Sequence, residues 1–290
     1  MNRVTHFVND FSKQCETYKF KNGLELPIFE IYSYHTLSQF VGYAKYLNRE
    51  IGNVYLRGQH KLYDTLLPSI FRRTNSNSGF SNRCKHISEF LSICSQKMQF
   101  IKDLDDYAKE PLIQHYGIHT RWIDLVDNLW IAIWFGIHDW HTRLYDREYK
   151  NIVRRKGGKD EYMYLLLVCS DGILEQKNCP GLYKGQNTFT IDLRKACPST
   201  FLRPHSQHAL LMRTKKMDTL ADVEMASSIV GIIRLKVDDC FDWIGDNGLV
   251  SARSLFPPAN FDHGYGVLIE QTPHSKVTIR DYGSIYSVTY

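Results

Sequence analysis

The sequence lacks the short signatures of several large enzyme classes. Its 290 residues contain no GxGxxG or Walker segment, which removes support for a Rossmann or P-loop nucleotide site. They contain no GxSxG elbow and no HExxH pair, so neither an α/β-hydrolase nor a zinc protease is indicated. Internal repeats and low-complexity blocks are also missing.

Cysteine is present, but its spacing does not suggest a metal site. The number is odd and no CxxC pair occurs, which argues against zinc. Free thiols that fall inside apolar runs are typical of a reducing compartment, so we expect a cytoplasmic protein. The seven cysteines are Cys15, Cys84, Cys94, Cys169, Cys179, Cys197 and Cys240.

Long hydrophobic runs are lacking as well. The longest strongly apolar segment covers residues 129–137, about half of the roughly 18 residues that a membrane span requires. The first residues, Met1 to His6, hold no apolar signal core. With 43% apolar and 23% charged residues, the composition is that of a globular domain, and we expect no membrane partner.

The charge is only mildly basic. A net charge of +5 without a dense basic stripe permits an anionic ligand such as a nucleotide, or an RNA partner, without requiring either. Aromatic residues make up 13% of the chain, which favours large packing groups or stacking surfaces.

The periodicity of apolar residues predicts an α+β fold. Helical patterns dominate the first half and strand patterns the second, which favours a single main domain around a mixed or antiparallel sheet. We expect an N-terminal cap segment over residues 1–35 and the main domain over residues 36–290. Polar insertions are predicted near residues 74–82 and 143–161.

Several elements can be assigned to this plan. A capping box at Thr36 and Gln39 predicts the start of a helix, and Pro111 fits the first turn of another. A long helix is predicted over residues 87–106. The predicted strands cover residues 54–56, 163–169, 229–237, 265–270 and 276–280.

The first candidate site residue is an arginine at the end of a strand. Arg57 follows the predicted strand and projects a planar, permanently charged fork, whose natural target is phosphate or carboxylate. Gly58 after it would let the chain turn and a ligand approach closely. An internal ion pair of Arg57 with Asp or Glu stays open.

A dense polar cluster follows over residues 114–124. Asp124 could pair with Arg121 or with Arg57, and the cluster is either a site or a buried polar network. A third block places Arg203 and Gln207 before an apolar strand, where a surface turn is the alternative. His138 and His141 suggest a solvated helix end, and we expect no metal site.

These blocks, in this order, resemble the FRG domain, named for a Phe-Arg-Gly motif. Leu56 replaces the phenylalanine before Arg57 and Gly58. Residues 114–124 resemble the family's Gln-His-Tyr-Gly-x-Pro-Thr-Arg-Leu-Leu-Asp block, with His119 at the proline and Trp122 at the first leucine. Similar matches occur at residues 67–72, 132–136, 203–207, 248–250 and 254–257, so the resemblance covers roughly residues 36–270.

The order of these blocks is also similar to that of ADP-ribosyltransferases. That resemblance implies NAD as substrate, with Arg57 holding it and Thr120 on the nicotinamide side. Gln207 would stand at the late-strand position of a catalytic glutamate, but a glutamine cannot act as a general base. The base would then be His115 or Asp124.

The expected site residues fall into two groups. The catalytic group is His115, Asp124 and Gln207. The NAD-binding group is Arg57, Gly58, Gln59, Tyr116, Thr120, Arg121 and Arg203.

Three functions stay open at this point. The first is an NAD-using ADP-ribosyltransferase or NAD glycohydrolase that acts as an intracellular toxin or phage-defence effector on a protein or nucleic-acid acceptor. The second is a nucleic-acid-binding or -cleaving module. The third is a non-catalytic ligand sensor or interaction domain. The cations that could contact phosphates of a nucleic acid in the second function are Arg57, Arg72, Arg73, Arg83, Lys85, Arg121 and Arg203.

Overall fold

The computed structural model describes residues 1–74, 76–144, 148–245, 250–271 and 283–289. The strands are β1 (Ser12–Lys19), β2 (Glu25–Ile31), β3 (Val54–Gln59), β4 (Ile123–Val126), β5 (His138–Leu144), β6 (Glu148–Arg154), β7 (Tyr162–Cys169), β8 (Leu182–Lys184), β9 (Thr188–Asp192), β10 (Ala209–Thr214), β11 (Ile229–Lys236) and β12 (Ser287–Thr289). The helices are α1 (Tyr34–Asn48), α2 (Asn77–Lys97), α3 (Gln99–Lys102), α4 (Asp106–His115), α5 (Leu129–Gly136), α6 (Leu193–Ala196), α7 (Leu202–Ser206), α8 (Val237–Ile244), α9 (Ala252–Leu255) and α10 (His263–Gln271).

Nine strands form one open, mixed sheet in the order β1-β2-β11-β7-β3-β4-β10-β9-β8. Only the β2–β11 pair is parallel; the other described pairs of this sheet are antiparallel. A smaller sheet has the order β12-β6-β5. The predicted α+β class is therefore confirmed.

The central strand β7 is buried on both faces of the large sheet. Leu165, Leu167 and Cys169 join the core that α1, α5 and α8 cover. The alternate residues, Leu166 and Val168, join a second core on the opposite face. Because both faces are covered, the strand is a continuous apolar run instead of an alternating one, and the prediction of a buried strand at residues 163–169 is confirmed.

The large sheet has one weak junction, between β3 and β4. These strands are paired at a single position, Leu56 opposite Val126, whereas β3 pairs with β7 along its whole length. Beyond that position, Arg57 Nη1 donates a hydrogen bond to the carbonyl oxygen of Asp124 at 2.7 Å. A side chain thus replaces strand pairing at this point.

Several predicted boundaries are wrong. The polar loop predicted over residues 74–82 becomes helix α2 at Asn77, because the Ser76 side chain caps it and Phe80 stacks on Phe71 with ring centroids 4.6 Å apart. The predicted long helix over residues 87–106 breaks at Met98. Helix α1 begins after Ser33, not at Thr36, whose hydroxyl donates to Asn9 instead.

Two later predictions are also wrong. Pro111 lies inside α4 instead of in its first turn. Residues 265–270 form helix α10 and not a strand, because the buried Asp262 carboxylate accepts the Tyr265 amide proton at the start of the helix. The strand predicted over residues 276–280 lies outside the described residues.

The predicted N-terminal cap and the predicted insertion over residues 143–161 both contain strands. Within residues 1–35, the β1–β2 hairpin forms an edge of the large sheet, and its turn contains Gly23 with φ of +86°. The predicted insertion over residues 143–161 contains the whole of β6, which pairs with β5 and β12. No helix within the described ranges has the length and apolar character needed to cross a membrane.

Gly58 allows α5 to lie close against β3. A Cβ atom built on Gly58 would stand 1.7 Å from the carbonyl oxygen of Ala132. Gly58→Ala is therefore expected to lower the free energy of unfolding by about 1–3 kcal/mol through overpacking. The measurement is urea denaturation, with an unchanged m-value as the sign of an intact two-state transition.

Gly42→Ala is the matched control. Gly42 is exposed within α1, and a Cβ there would meet nothing within 4 Å. It should raise the free energy of unfolding by about 0.5–1 kcal/mol, as alanine does in helix interiors. If both substitutions shift the urea midpoint equally, close contact between β3 and α5 is not the role of Gly58.

Candidate functional site

A cavity of about 960 Å³ opens at the weak junction between β3 and β4. Parts of α4, α5 and β5 complete its walls. Six of the ten predicted site residues line it: Arg57, Gly58, Gln59, His115, Asp124 and Gln207. The structure therefore brings all three predicted catalytic residues and the Arg57 block together, although 150 positions separate Arg57 from Gln207 in the sequence.

Two arginines face this cavity without an ion-pair partner among the described residues. Arg57 donates through Nη1 to the Asp124 carbonyl oxygen, and its Nε is enclosed without a hydrogen-bond acceptor. Arg72 donates through Nε to the Leu67 carbonyl oxygen at 3.2 Å. Burial lowers the pKa of Arg57, and burial together with the charge of Arg57 lowers the pKa of Arg72 to about 10. An anion between them would relieve both effects.

The Asp124 carboxylate is the acidic group of this part of the cavity. Its side chain is 50% exposed, and Gln114 Nε2 donates to its Oδ1 at 2.6 Å. The Thr120 hydroxyl donates in turn to the Gln114 amide oxygen. Thr120 is itself buried away from the cavity, so its role is to orient Gln114 and through it Asp124.

His115 is held in one tautomer by Gln207. Gln207 Nε2 donates to the Leu255 carbonyl oxygen at 2.8 Å, which turns its Oε1 towards His115 Nδ1 at 3.0 Å. Because an amide oxygen can only accept, Nδ1 carries the proton and Nε2 keeps its lone pair. His115 Nε2 is enclosed, 3.8 Å from Asp124 Oδ1. Burial lowers the pKa of His115, so the ring is neutral.

Arg203 lies behind the cavity wall and not in it. It is fully buried, and its Nη1 donates to the His115 carbonyl oxygen at 2.8 Å. Tyr116 stands beside it and donates its hydroxyl proton to Asp262. The predicted contacts of Arg203 and Tyr116 with a ligand are thus replaced by support for His115. Four rings surround the guanidinium at 4.4–5.4 Å: Tyr116, Phe256, Tyr265 and Tyr286.

Arg121 is bound elsewhere. Its guanidinium contacts both carboxylate oxygens of Glu110, with the shortest contact at 2.5 Å, and its amide also donates to Glu110. This bidentate pair ties α4 to the segment before β4. Arg121 does not line the cavity. An internal ion pair was one of the two alternatives for Arg57, but it is Arg121 that forms such a pair.

Sequence reasoning missed part of the wall. His138 and His141, predicted at a solvated helix end, lie on β5 and line the cavity. His138 is buried because α5 ends before it and its ring stacks on Trp134 at 4.1 Å. In the described part of the chain, no group of three or more His, Cys, Asp or Glu side chains is placed to hold a metal ion.

Tyr286 lies in the cavity wall because its segment packs closely against Gly117. Gly117 has φ of +122°, and a Cβ there would stand 2.1 Å from the Ser284 carbonyl oxygen. The segment from Ser284 to Tyr286 therefore lies directly against the Tyr116–Gly117 turn. The glycine of the polar cluster was the only sequence signal for this contact.

The cations proposed for nucleic acid do not form one free surface. Besides Arg121 and Arg203, Lys85 contacts Glu89 at 3.7 Å, and Arg83 donates to the Ile70 carbonyl oxygen. Only Arg57 and Arg72 of that group line the cavity.

The FRG domain model matches residues 52–143. Over this stretch the sequence is similar to the FRG domain. The matched FRG segment runs from just before β3 into β5 and contains the Arg57 block, Gln114, His115 and Asp124, whereas Gln207 and Tyr286 reach the cavity from beyond it. No curated protein and no solved structure matches the chain.

The buried histidines of the FRG segment should make stability depend on pH. Burial lowers the pKa of His115 and His138. In the unfolded chain each takes up a proton near pH 6.5, so the unfolded state binds more protons than the folded state there. The free energy of unfolding should fall as the pH drops through that range, by at most about 1.4 kcal/mol per pH unit and per histidine.

Urea denaturation between pH 8 and pH 5.5 measures this slope. His115→Gln should reduce it by up to one proton, whereas His35→Gln, at an exposed position of α1, should keep the wild-type slope. A stability that rises on acidification over this range would contradict the neutral state of His115.

Proposed function

We propose that the protein uses NAD as a substrate, as an ADP-ribosyltransferase or NAD glycohydrolase. The observation that carries the proposal is the arrangement in one cavity of two arginines without carboxylate partners and one half-exposed carboxylate. The diphosphate of NAD could bind to the two arginines, and the ribose that carries the nicotinamide could lie beside the carboxylate.

The arginine pair supports binding of a diphosphate. Guanidinium groups form two parallel hydrogen bonds to phosphate oxygens. Arg57 donates a hydrogen bond to the Asp124 carbonyl oxygen and Arg72 donates one to the Leu67 carbonyl oxygen. Both guanidinium groups are therefore oriented before a ligand binds. A diphosphate carries two negative charges and would neutralise both arginines at once.

The aromatic side chains of the cavity support binding of flat rings. Trp140 packs edge-on against Phe256 at 4.9 Å and against Tyr286 at 6.2 Å, and all three line the cavity. Walls of this kind, with a few placed polar groups, are typical of small-molecule sites, and a volume near 1,000 Å³ suits a dinucleotide.

Asp124 supports chemistry at the ribose. When the bond from ribose C1′ to the nicotinamide nitrogen breaks, nicotinamide leaves with the bonding electrons and the ribose becomes positively charged. A carboxylate held nearby stabilises that charge. Water or an acceptor hydroxyl then bonds to C1′ and gives up its proton to a base.

His115, positioned by Gln207, takes the role of the general base that a late glutamate would otherwise have. Gln207 is a positioning residue in this scheme, because it holds the imidazole with Nδ1 protonated and Nε2 free. The neutral ring can take over, through the half-exposed Asp124 carboxylate 3.8 Å from its Nε2, the proton that the acceptor loses. An intracellular toxin or phage-defence effector is the biological role that NAD consumption would serve.

Asp124→Asn should lower nicotinamide release from NAD by about 10²–10³-fold, because the amide cannot stabilise positive charge on the ribose. It keeps the backbone carbonyl that Arg57 contacts, so the fold should be retained. Release is measured by chromatography with and without cell lysate as a source of acceptors. Asp139→Asn, which changes another carboxylate of the cavity, should retain most of the rate.

The remaining outcomes separate the alternatives. Saturable NAD binding without turnover by the wild type would indicate the ligand sensor. Salt-dependent retention of RNA or DNA, together with no NAD binding, would indicate the nucleic-acid module.

Arg72→Met should weaken NAD binding about ten- to hundredfold, since a charge-assisted hydrogen bond contributes roughly 1.5–3 kcal/mol. Methionine keeps much of the stem and removes the charge beside Arg57. Calorimetric titration with NAD and with adenosine measures the effect. Adenosine has no phosphate and should bind both proteins alike; an equal loss for both ligands would show that Arg72 does not contact the diphosphate.

A further inference from the structure

A second pocket, of about 300 Å³, lies between α4, the segment before β4 and the last three strands of the large sheet, β8 to β10. It shares no lining residue with the large cavity. Its walls combine the rings of Trp122 and Phe189 with the guanidinium of Arg213. A volume near 300 Å³ is at the lower end of the range of about 300–1,000 Å³ for small-molecule sites.

Arg213 is held rigidly in this pocket without a carboxylate. Its guanidinium lies 5.0 Å from the Trp122 ring centroid and 4.8 Å from that of Phe189. Its polar contacts are a long one to the Thr214 carbonyl oxygen at 3.5 Å and one to the Met217 sulfur at 3.3 Å, which is a weak acceptor. The two rings fix the plane of the fork, and its strong hydrogen-bonding capacity is left unused.

The carboxylates of the pocket do not compensate this charge. Glu110 is engaged by Arg121 at 2.5 Å, and Asp106 is engaged by Lys109 at 2.7 Å. Burial lowers the pKa of Arg213; the nearby charge of Glu110 raises it and that of Arg121 lowers it, so Glu110 does not offset the burial.

Further positive charge surrounds the same ring. Lys184 Nζ lies 5.5 Å from the Phe189 centroid and Lys215 Nζ lies 5.6 Å from it. Neither lysine has an ion pair recorded among the described residues. Three cations therefore surround the Phe189 ring; only Arg213 lines the pocket itself, and the two lysines add positive charge beside it, which favours a dianion.

We propose that this pocket binds a small phosphate monoester, with its phosphate on Arg213 and its organic group against Phe189 and Trp122. The guanidinium fork can form two parallel hydrogen bonds to phosphate oxygens, whereas the lysines contribute positive charge but no fixed hydrogen-bond geometry. A flat organic group is favoured because the remaining wall is aromatic. This site is separate from the NAD cavity and does not depend on NAD turnover.

Phenyl phosphate is the probe, and calorimetric titration without NAD is the measurement. Arg213→Met should weaken phenyl phosphate binding at this site by about tenfold or more, because it removes the charge and keeps an apolar stem between the rings. Arg72→Met is the matched control: it weakens any phosphate binding in the large cavity and should leave the Arg213-dependent binding step intact. Inorganic phosphate should bind more weakly than phenyl phosphate, and phenol should not bind measurably.

Binding is also to be followed in the wild type by NMR of the Trp122 indole NH, assigned with Trp122→Phe. A shift of this signal that saturates with phenyl phosphate supports the site even if Arg213→Met fails to fold. The proposal is overturned if wild-type protein does not bind phenyl phosphate at millimolar concentration, if the Trp122 signal does not move, or if a folded Arg213→Met variant binds as the wild type does. None of these results depends on whether NAD is cleaved.

Discussion

The hydrogen bond from Arg57 to the carbonyl oxygen of Asp124 joins two strands at the point where their own pairing ends. The large sheet would otherwise be held at this junction by the single Leu56–Val126 pair. Because a long side chain makes the connection, the strands can stand apart and leave room for a cavity. The same bond also orients the Arg57 fork, so the contact that joins β3 to β4 contributes to the proposed binding of an anion.

The arginines of this protein differ in whether a carboxylate is their partner. Arg121, Arg194 and Arg234 contact carboxylates at 2.5–2.8 Å and tie elements of the fold together. Arg57 and Arg72 have no such partner among the described residues, and both face the large cavity. A paired arginine is electrostatically satisfied, whereas an unpaired one in a partly dry site retains the capacity to hold an anion.

Much of the site was predictable in residue type but not in role. The polar cluster proved to be one network, in which Thr120 and Gln114 orient Asp124 while Arg203 and Gln207 support His115. Gly58 was expected to admit a ligand, but its nearest neighbour is the backbone of α5. These roles could not be predicted because a side chain one residue further along the chain can face the opposite side of a strand or helix.

Local patterns in the sequence were enough to predict the α+β class, the buried strand at residues 163–169 and the resemblance to the FRG domain, because apolar periodicity and motif spacing are local properties of the chain. Only the tertiary structure decided which arginines are paired, where Tyr286 and Gln207 arrive, and which nitrogen of His115 carries the proton. Each of these depends on contacts between residues far apart in sequence, which local patterns do not encode. The physical reason is that satisfaction of a buried charge or hydrogen bond is a property of the assembled neighbourhood and not of any single segment.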